Sequence, residues 1–81
     1  MKVEHSQIQI EQDLQKNPYR IFVHSFWHQV IDIKDQWADT GEWWAGTSEK
    51  MFYRLQLDTG QVMEIYQDLM THEWWLYKVC D

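Results

Sequence analysis

Apolar residues at every second position predict a β-hairpin over residues 50–68. Alternate side chains of a strand point to the same face of the sheet. The second strand carries Met63 and Ile65 on such a face. The first strand carries a longer apolar series: Met51, Tyr53, Leu55 and Leu57. The segment is therefore expected to form two antiparallel strands that bury one shared face.

The loop of this hairpin is expected to be Asp58-Thr59-Gly60. A two-residue loop would place Leu55 opposite Glu64 and mix the two faces, whereas the three-residue loop places Leu55 opposite Met63. Such a loop is a type I turn followed by a G1 bulge, in which Gly60 takes a positive φ. The predicted register gives four facing pairs: Leu55–Met63 and Tyr53–Ile65 on the core face, Arg54–Glu64 and Phe52–Tyr66 on the other.

Residues 19–25 and 29–37 are predicted to be a second pair of strands. The first has Ile21 and Val23 on one face, and the second has Ile31, Ile33 and Trp37 on one face. The turn between them, Ser25-Phe26-Trp27, contains neither Gly nor Asn, which is unusual for a tight hairpin. Two large rings at a turn either pack on a neighbour or are displayed to a partner.

The N-terminal segment admits two interpretations. Ile8 and Ile10 alternate with polar residues over residues 3–13, which favours a strand. A helix over residues 3–16 is the alternative, with Ser6 as N-cap and Pro18 as its stop. The strand is the favoured interpretation.

The C-terminal segment, residues 73–80, is predicted to be the last strand. Its two faces are both apolar, with Trp74 and Leu76 on one and Trp75, Tyr77 and Val79 on the other. Residues 38–49 contain two of the three glycines and are expected to be a loop around Trp43 and Trp44.

The fold class that follows is all-β. About six short antiparallel strands in a meander form a small barrel or a strongly curved sheet. A chain of 81 residues is expected to be one domain, spanning residues 1–81.

The aromatic content indicates a binding surface. Six Trp, four Tyr and three Phe give 13 rings, more than so small a domain is expected to bury. Exposed Trp and Tyr side chains are typical anchors of protein interfaces. The predicted interaction surface lies on the outer face of the hairpin and last strand, with one ring at the 25–27 turn: Trp27, Phe52, Arg54, Glu64, Tyr66, Trp75 and Tyr77.

Net charge and cysteine content restrict the ligands and the cellular compartment that we expect. The formal charge of −6 disfavours an extended phosphate-binding surface. Cys80 is the single cysteine, so no disulfide forms within the chain and a reducing compartment is expected. The N-terminal residues show no secretory pattern and no apolar run has the length of a membrane span. We therefore expect a cytoplasmic protein without a membrane partner.

Motifs for catalysis or cofactor binding are weak. The spacing of Gly41 and Gly46 resembles a phosphate loop, but Thr47 occupies the position that requires Lys. His24 and His28 could lie near each other across a turn, with His72 joining them, but two strand histidines with no cysteine nearby are more often surface or half-buried polar residues than zinc ligands. We expect no catalytic residue, no metal site and no cofactor, and therefore a protein that is not an enzyme.

Several short segments together resemble the signature of a small, uncharacterised bacterial family. The matching segments are Asp35-Gln36-Trp37, Gly41-Glu42-Trp43-Trp44, Tyr53-Arg54-Leu55, Glu64-Ile65-Tyr66 and Trp74-x-Leu76-Tyr77-Lys78-Val79-x-Asp81. The resemblance spans residues 19–81. Domains of that family stand alone or lie beside proteins that look like Y-family DNA polymerases of mutagenic repair. The resemblance implies an all-β fold and a bacterial cytoplasmic setting, and it assigns no catalytic residue.

Two functional hypotheses follow. The first is a non-enzymatic module that binds a protein partner or a second copy of itself through exposed aromatic side chains. The alternative is an accessory module of DNA repair that stacks single-stranded bases on those rings. The resemblance motivates this alternative, and the negative charge disfavours it.

Overall fold

The computed structural model describes residues 2–39 and 49–80, with side chains from Ser6 onward. Six strands follow one another: β1 (Lys2–Gln12), β2 (Pro18–Val23), β3 (Phe26–Asp39), β4 (Lys50–Leu57), β5 (Val62–Asp68) and β6 (Trp74–Cys80). Each pairs antiparallel with the next, and β6 pairs with β1 to close a barrel. The predicted all-β meander is confirmed as a barrel, and the helical alternative for the N-terminus is wrong.

The barrel interior holds the core that the alternating pattern indicates. Fully or almost fully buried side chains come from five of the six strands, and the set is Ile8, Ile21, Val23, Tyr53, Leu55, Leu57, Met63, Ile65, Trp74, Leu76 and Val79. Tyr53 and Trp74 meet there with ring centroids 5.5 Å apart. Each Å² of apolar surface that is buried contributes roughly 25 cal/mol to stability. This interior is therefore the main source of stability.

The β4–β5 hairpin has the predicted register. Leu55 faces Met63, Tyr53 faces Ile65, Arg54 faces Glu64 and Phe52 faces Tyr66. The amide of Gly60 donates to the carbonyl of Leu57, and Gly60 has a φ of +88°. The three-residue loop and the G1 bulge are therefore confirmed.

Strand β3 departs from the predicted alternation because it contains two bulges. The pairing with β4 skips one residue after Val30 and another after Ile33, so that Ile31 and Lys34 have no cross-strand partner. Each extra residue reverses the faces that follow it. Val30 and Ile33 pack against the core, whereas Ile31 is exposed. The prediction that Ile31, Ile33 and Trp37 share a face is wrong.

The turn between β2 and β3 lies earlier than predicted. It consists of His24 and Ser25, with φ of 53° and 72°, the backbone signs of a type I′ turn. Phe26 and Trp27 are the first residues of β3, paired with Val23 and Phe22. The two rings therefore lie on a strand and not in the turn.

Strand β6 also contains a bulge. Leu76 faces Ile65, whereas Lys78 faces Glu64, so that Tyr77 is the extra residue. Val79 consequently lies inside the barrel with Trp74 and Leu76, although simple alternation places it on the other face with Trp75.

The remaining predictions concern the loop at 38–49 and the membrane. Residues 38 and 39 belong to β3, and Trp43 and Trp44 lie outside the described residues. Within residues 2–39 and 49–80, no helix is long and apolar enough to cross a membrane.

Candidate interaction surfaces

Four aromatic side chains form a cluster on the outer face of the barrel. Trp37 stacks on Phe52 with ring centroids 5.4 Å apart and planes 5° from parallel. Phe52 also contacts Tyr66 at 5.2 Å and Tyr77 at 5.5 Å. We call these four residues the outer aromatic cluster. Strand pairing explains it, because Trp37, Phe52 and Tyr66 face one another across β3, β4 and β5.

Two members of the outer aromatic cluster are less accessible than predicted. Phe52 and Tyr66 are each only 9 % exposed, although they lie on the outer face. Burial raises the pKa of the Tyr66 phenol, and Asp68 adds to the shift. The expectation that these two rings are exposed anchors is therefore wrong: their faces are covered within the chain. Tyr77 and its neighbour Trp75 are half-buried.

An ion cluster adjoins these rings on the same face. The Glu64 side chain is 3 % exposed, and its carboxylate lies 2.7 Å from Nη2 of Arg54 and 3.6 Å from Nζ of Lys78. The hydrogen bond and the charge of Glu64 raise the pKa of the Arg54 guanidinium. The Cys80 thiol lies 4.0 Å from the same carboxylate. Glu64 on β5 is therefore paired with cations on both neighbouring strands, Arg54 on β4 and Lys78 on β6.

The sequence-predicted site residues therefore fall into two places. The structure brings together Phe52, Arg54, Glu64, Tyr66, Trp75 and Tyr77 on the outer face of β4, β5 and β6. Trp27 lies apart from them, at the start of β3 and paired with β2.

The surface around Trp27 displays large side chains. Phe26 is 69 % exposed and Trp27 is 38 % exposed. Trp27 contacts Phe22 edge-to-face at 5.4 Å, and the guanidinium carbon of Arg20 lies 4.5 Å from the centre of its ring. Arg20 is itself held by Glu11 at 2.8 Å. Phe26 and Trp27 are consecutive residues of β3 and point to opposite faces of the strand, with Phe22 and Arg20 on the Trp27 side. We call this exposed end of the β2–β3 hairpin, which carries both rings, the Phe26–Trp27 surface.

Sequence reasoning missed several further exposed apolar side chains, among them Tyr19 and Ile31. Tyr19 is 46 % exposed and Ile31 is 58 % exposed. Both lie at bulges, where β1 pairing with β2 and β3 pairing with β4 each skip a residue. The alternating pattern contains no signal for a bulge, and for this reason Ile31 was expected to share the face of Ile33.

The described residues offer little that could hold a metal ion. Among their side chains, no three His, Cys, Asp or Glu residues converge on one point. His28, considered above as a zinc ligand together with His24, has the carboxylate of Asp58 at 3.7 Å from its Nδ1.

Comparison with protein-family models, curated proteins and solved structures finds no significant match to this chain.

Proposed function

We propose that the protein is a non-enzymatic interaction module that binds a protein partner, or a second copy of itself, through the Phe26–Trp27 surface. The observation that carries the proposal is the exposure of Phe26, an aromatic side chain left 69 % accessible at the end of the β2–β3 hairpin, next to Trp27 in the sequence. Leaving a Phe side chain in water forgoes about 1.5–3 kcal/mol of burial. A partner that covers the ring recovers this free energy on binding.

The local structure supports a preformed site. Trp27 is held by the Phe22 ring and by the Arg20 guanidinium, and Arg20 is held by Glu11. Binding therefore costs little side-chain entropy at Trp27. An indole with a cation over one face is a common composition of interface hot spots.

The half-buried rings Trp75 and Tyr77 extend the proposal to the outer face. Phe52, Arg54, Glu64 and Tyr66 support them there as packed neighbours. In this proposal the outer face is secondary to the Phe26–Trp27 surface, because its central rings are covered. The setting we propose is the bacterial cytoplasm.

The test compares the wild-type chain with Phe26→Ser in sedimentation velocity and in capture from a bacterial lysate. Met70→Ser is the matched control, because Met70 is an exposed apolar side chain in the β5–β6 turn. We expect Phe26→Ser to abolish self-association or capture and Met70→Ser to preserve it. Equal behaviour of the two variants would remove the proposal.

The second candidate function is binding of single-stranded nucleic acid. The Arg20 guanidinium above the Trp27 ring favours it, since stacking and cation–π contacts are both used with unpaired bases. The net charge of −6 opposes it. Quenching of tryptophan fluorescence by an oligonucleotide, lost at high salt and in Trp27→Ser, would select this function.

A further inference from the structure

A shallow groove opens where β2 and β3 separate. Up to the pair Arg20–Gln29, the two strands are hydrogen-bonded neighbours. From Val30 onward, β3 pairs with β4 instead. A cavity of about 390 Å³ lies at the divergence, between the β1–β2 turn and the first residues of β3 beyond it. Its lining is Asp13, Asn17, Pro18, Tyr19, Val30, Ile31, Asp32 and Ile33.

One wall of the groove is a strand edge. Within residues 2–39 and 49–80, the stretch 31–38 of β3 has β4 as its one neighbouring strand. Half of the backbone groups of a strand point away from its single neighbour, and such an edge accepts hydrogen bonds from an added extended chain. The bulges at Ile31 and Lys34 interrupt the edge, so that only a short segment fits against it.

The side chains of the groove are apolar on its walls and acidic on its rim. Tyr19 and Ile31 expose about half of their surfaces, which suits an aliphatic side chain between them. Asp13 and Asp32 supply two carboxylates, and the described residues of the lining include no Lys or Arg. Asp13 is fixed in place by the amides of Gln15 and Asn17, which donate to its Oδ1 at 2.9 and 3.0 Å.

Lys34 offsets the rim charge only weakly. Its Nζ lies 3.3 Å from Oδ2 of Asp32, and both side chains are about half exposed. An ion pair in that setting contributes little, because water and salt screen it. The rim therefore attracts a positively charged ligand.

We propose that this groove binds a short, extended peptide segment in which aliphatic side chains are flanked by Lys or Arg. The proposal goes beyond the proposed function, since it adds a second partner class that does not depend on the Phe26–Trp27 surface. It assigns that partner to a surface other than Phe26 and Trp27. A compact ligand fits less well, because the cavity is shallow and lies along a strand edge.

The test is a titration of the isotope-labelled chain, followed by nuclear magnetic resonance, with the capped peptide Lys-Leu-Val-Leu-Lys. We expect saturable shifts at the amides of residues 13–19 and 30–33, with a Kd below about 1 mM. Two comparison peptides carry Glu in place of both Lys, or Ser in place of the three apolar residues. Each is expected to bind at least about tenfold more weakly.

Variants locate the site. Ile31→Ser should weaken the Lys-Leu-Val-Leu-Lys peptide about tenfold, and Asp32→Asn roughly two- to fivefold at low salt. The matched controls are Met70→Ser and Glu49→Gln, exposed residues of the β5–β6 turn and the start of β4. Phe26→Ser should leave this binding unchanged.

Several results would overturn the assignment. They are an absence of saturable shifts below about 1 mM, wild-type affinity in both Ile31→Ser and Asp32→Asn, and equal binding of the Glu peptide. Groove shifts caused by concentrating the chain alone, or by an oligonucleotide, would assign the groove to those ligands instead. If the peptide fails while association that depends on Phe26 persists, the groove assignment alone is wrong. If the peptide binds while no association depends on Phe26, the proposed function alone is wrong.

Discussion

The carboxylate of Glu64 is almost fully buried on the outside of the barrel, where Arg54 donates two hydrogen bonds to its Oε2, at 3.0 and 2.7 Å. The two residues face each other across β4 and β5, and only the carboxylate is hidden from water. A buried carboxylate without its cation is strongly destabilising, whereas removal of both partners costs less. The pair therefore behaves as one unit in the stability of the sheet.

The first prediction concerns this unit. Arg54→Met should lower the free energy of unfolding more than the double variant Arg54→Met/Glu64→Met, because the single change leaves the carboxylate with Lys78 at 3.6 Å and the Cys80 thiol at 4.0 Å, and without its closest cation. Urea denaturation of the wild type and these variants measures the order. A double variant less stable than Arg54→Met alone contradicts this description of the pair.

The second prediction concerns the β4–β5 loop. Gly60 has a φ of +88°, and a Cβ added there would meet no atom within 4 Å. The cost of Gly60→Ala is therefore backbone strain alone, about 1–2 kcal/mol. Thermal denaturation should show this loss, while Thr59→Ala in the same loop stays close to the wild type. An unchanged melting temperature for Gly60→Ala means that the loop has another conformation.

The third prediction concerns the β2–β3 turn. Ser25 has a φ of 72°, a conformation that Gly adopts without strain and that β-branched residues avoid. Ser25→Gly should raise the free energy of unfolding by up to about 1 kcal/mol, and Ser25→Val should lower it. Chemical denaturation of the three proteins tests the order Gly, Ser, Val, and the reverse order rules out a turn at this position.

The fourth prediction concerns alkaline pH. Burial raises the pKa of Tyr53, which lies in the core, and that of Tyr66, where Asp68 adds to the effect. Above about pH 10 the unfolded chain releases these phenolic protons before the folded chain does. The contribution of the two neutral phenols to the free energy of unfolding is therefore fully present below that pH and is lost as the pH rises above it.

The measurement is the unfolding free energy at about pH 8 and about pH 10.5 for wild type and Tyr53→Phe. We expect a smaller alkaline loss in Tyr53→Phe. Tyr66→Phe, which removes the other phenol with a raised pKa, should reduce the loss in the same direction. Equal losses in all three proteins exclude a role for Tyr53 ionisation.

The predictability of the fold differs between its hairpins for a physical reason. The β4–β5 register follows from the sequence because one register alone keeps Leu55 and Met63 on the same face. In β3, the bulges at Ile31 and Lys34 follow the point at which the strand stops pairing with β2 and pairs with β4, and their positions depend on how the barrel closes. That constraint is tertiary, so the local pattern of apolar residues cannot reveal it.

The candidate surfaces show the same division. Adjacency of Phe52, Arg54, Glu64 and Tyr66 follows from the hairpin register. Their burial does not, because it depends on Trp37, which simple alternation places on the face of Ile33 and which the bulge at Lys34 turns to the opposite face. Exposure of Tyr19 and Ile31 likewise follows from bulges, one in the β1–β2 pairing and one in the β3–β4 pairing. The pattern places Phe26 in a turn because neither His24 nor Ser25 is a Gly or Asn, the residues that favour the positive φ found there.

The most direct test of the central claim is photo-crosslinking from position 26. Phe26→p-benzoylphenylalanine places a reactive ring on the Phe26–Trp27 surface, and the same replacement at Met70 is the control. The account predicts a discrete adduct with one protein partner or a second copy from position 26, and none from position 70. Absence of an adduct from position 26, or the same adduct from both positions, would contradict it.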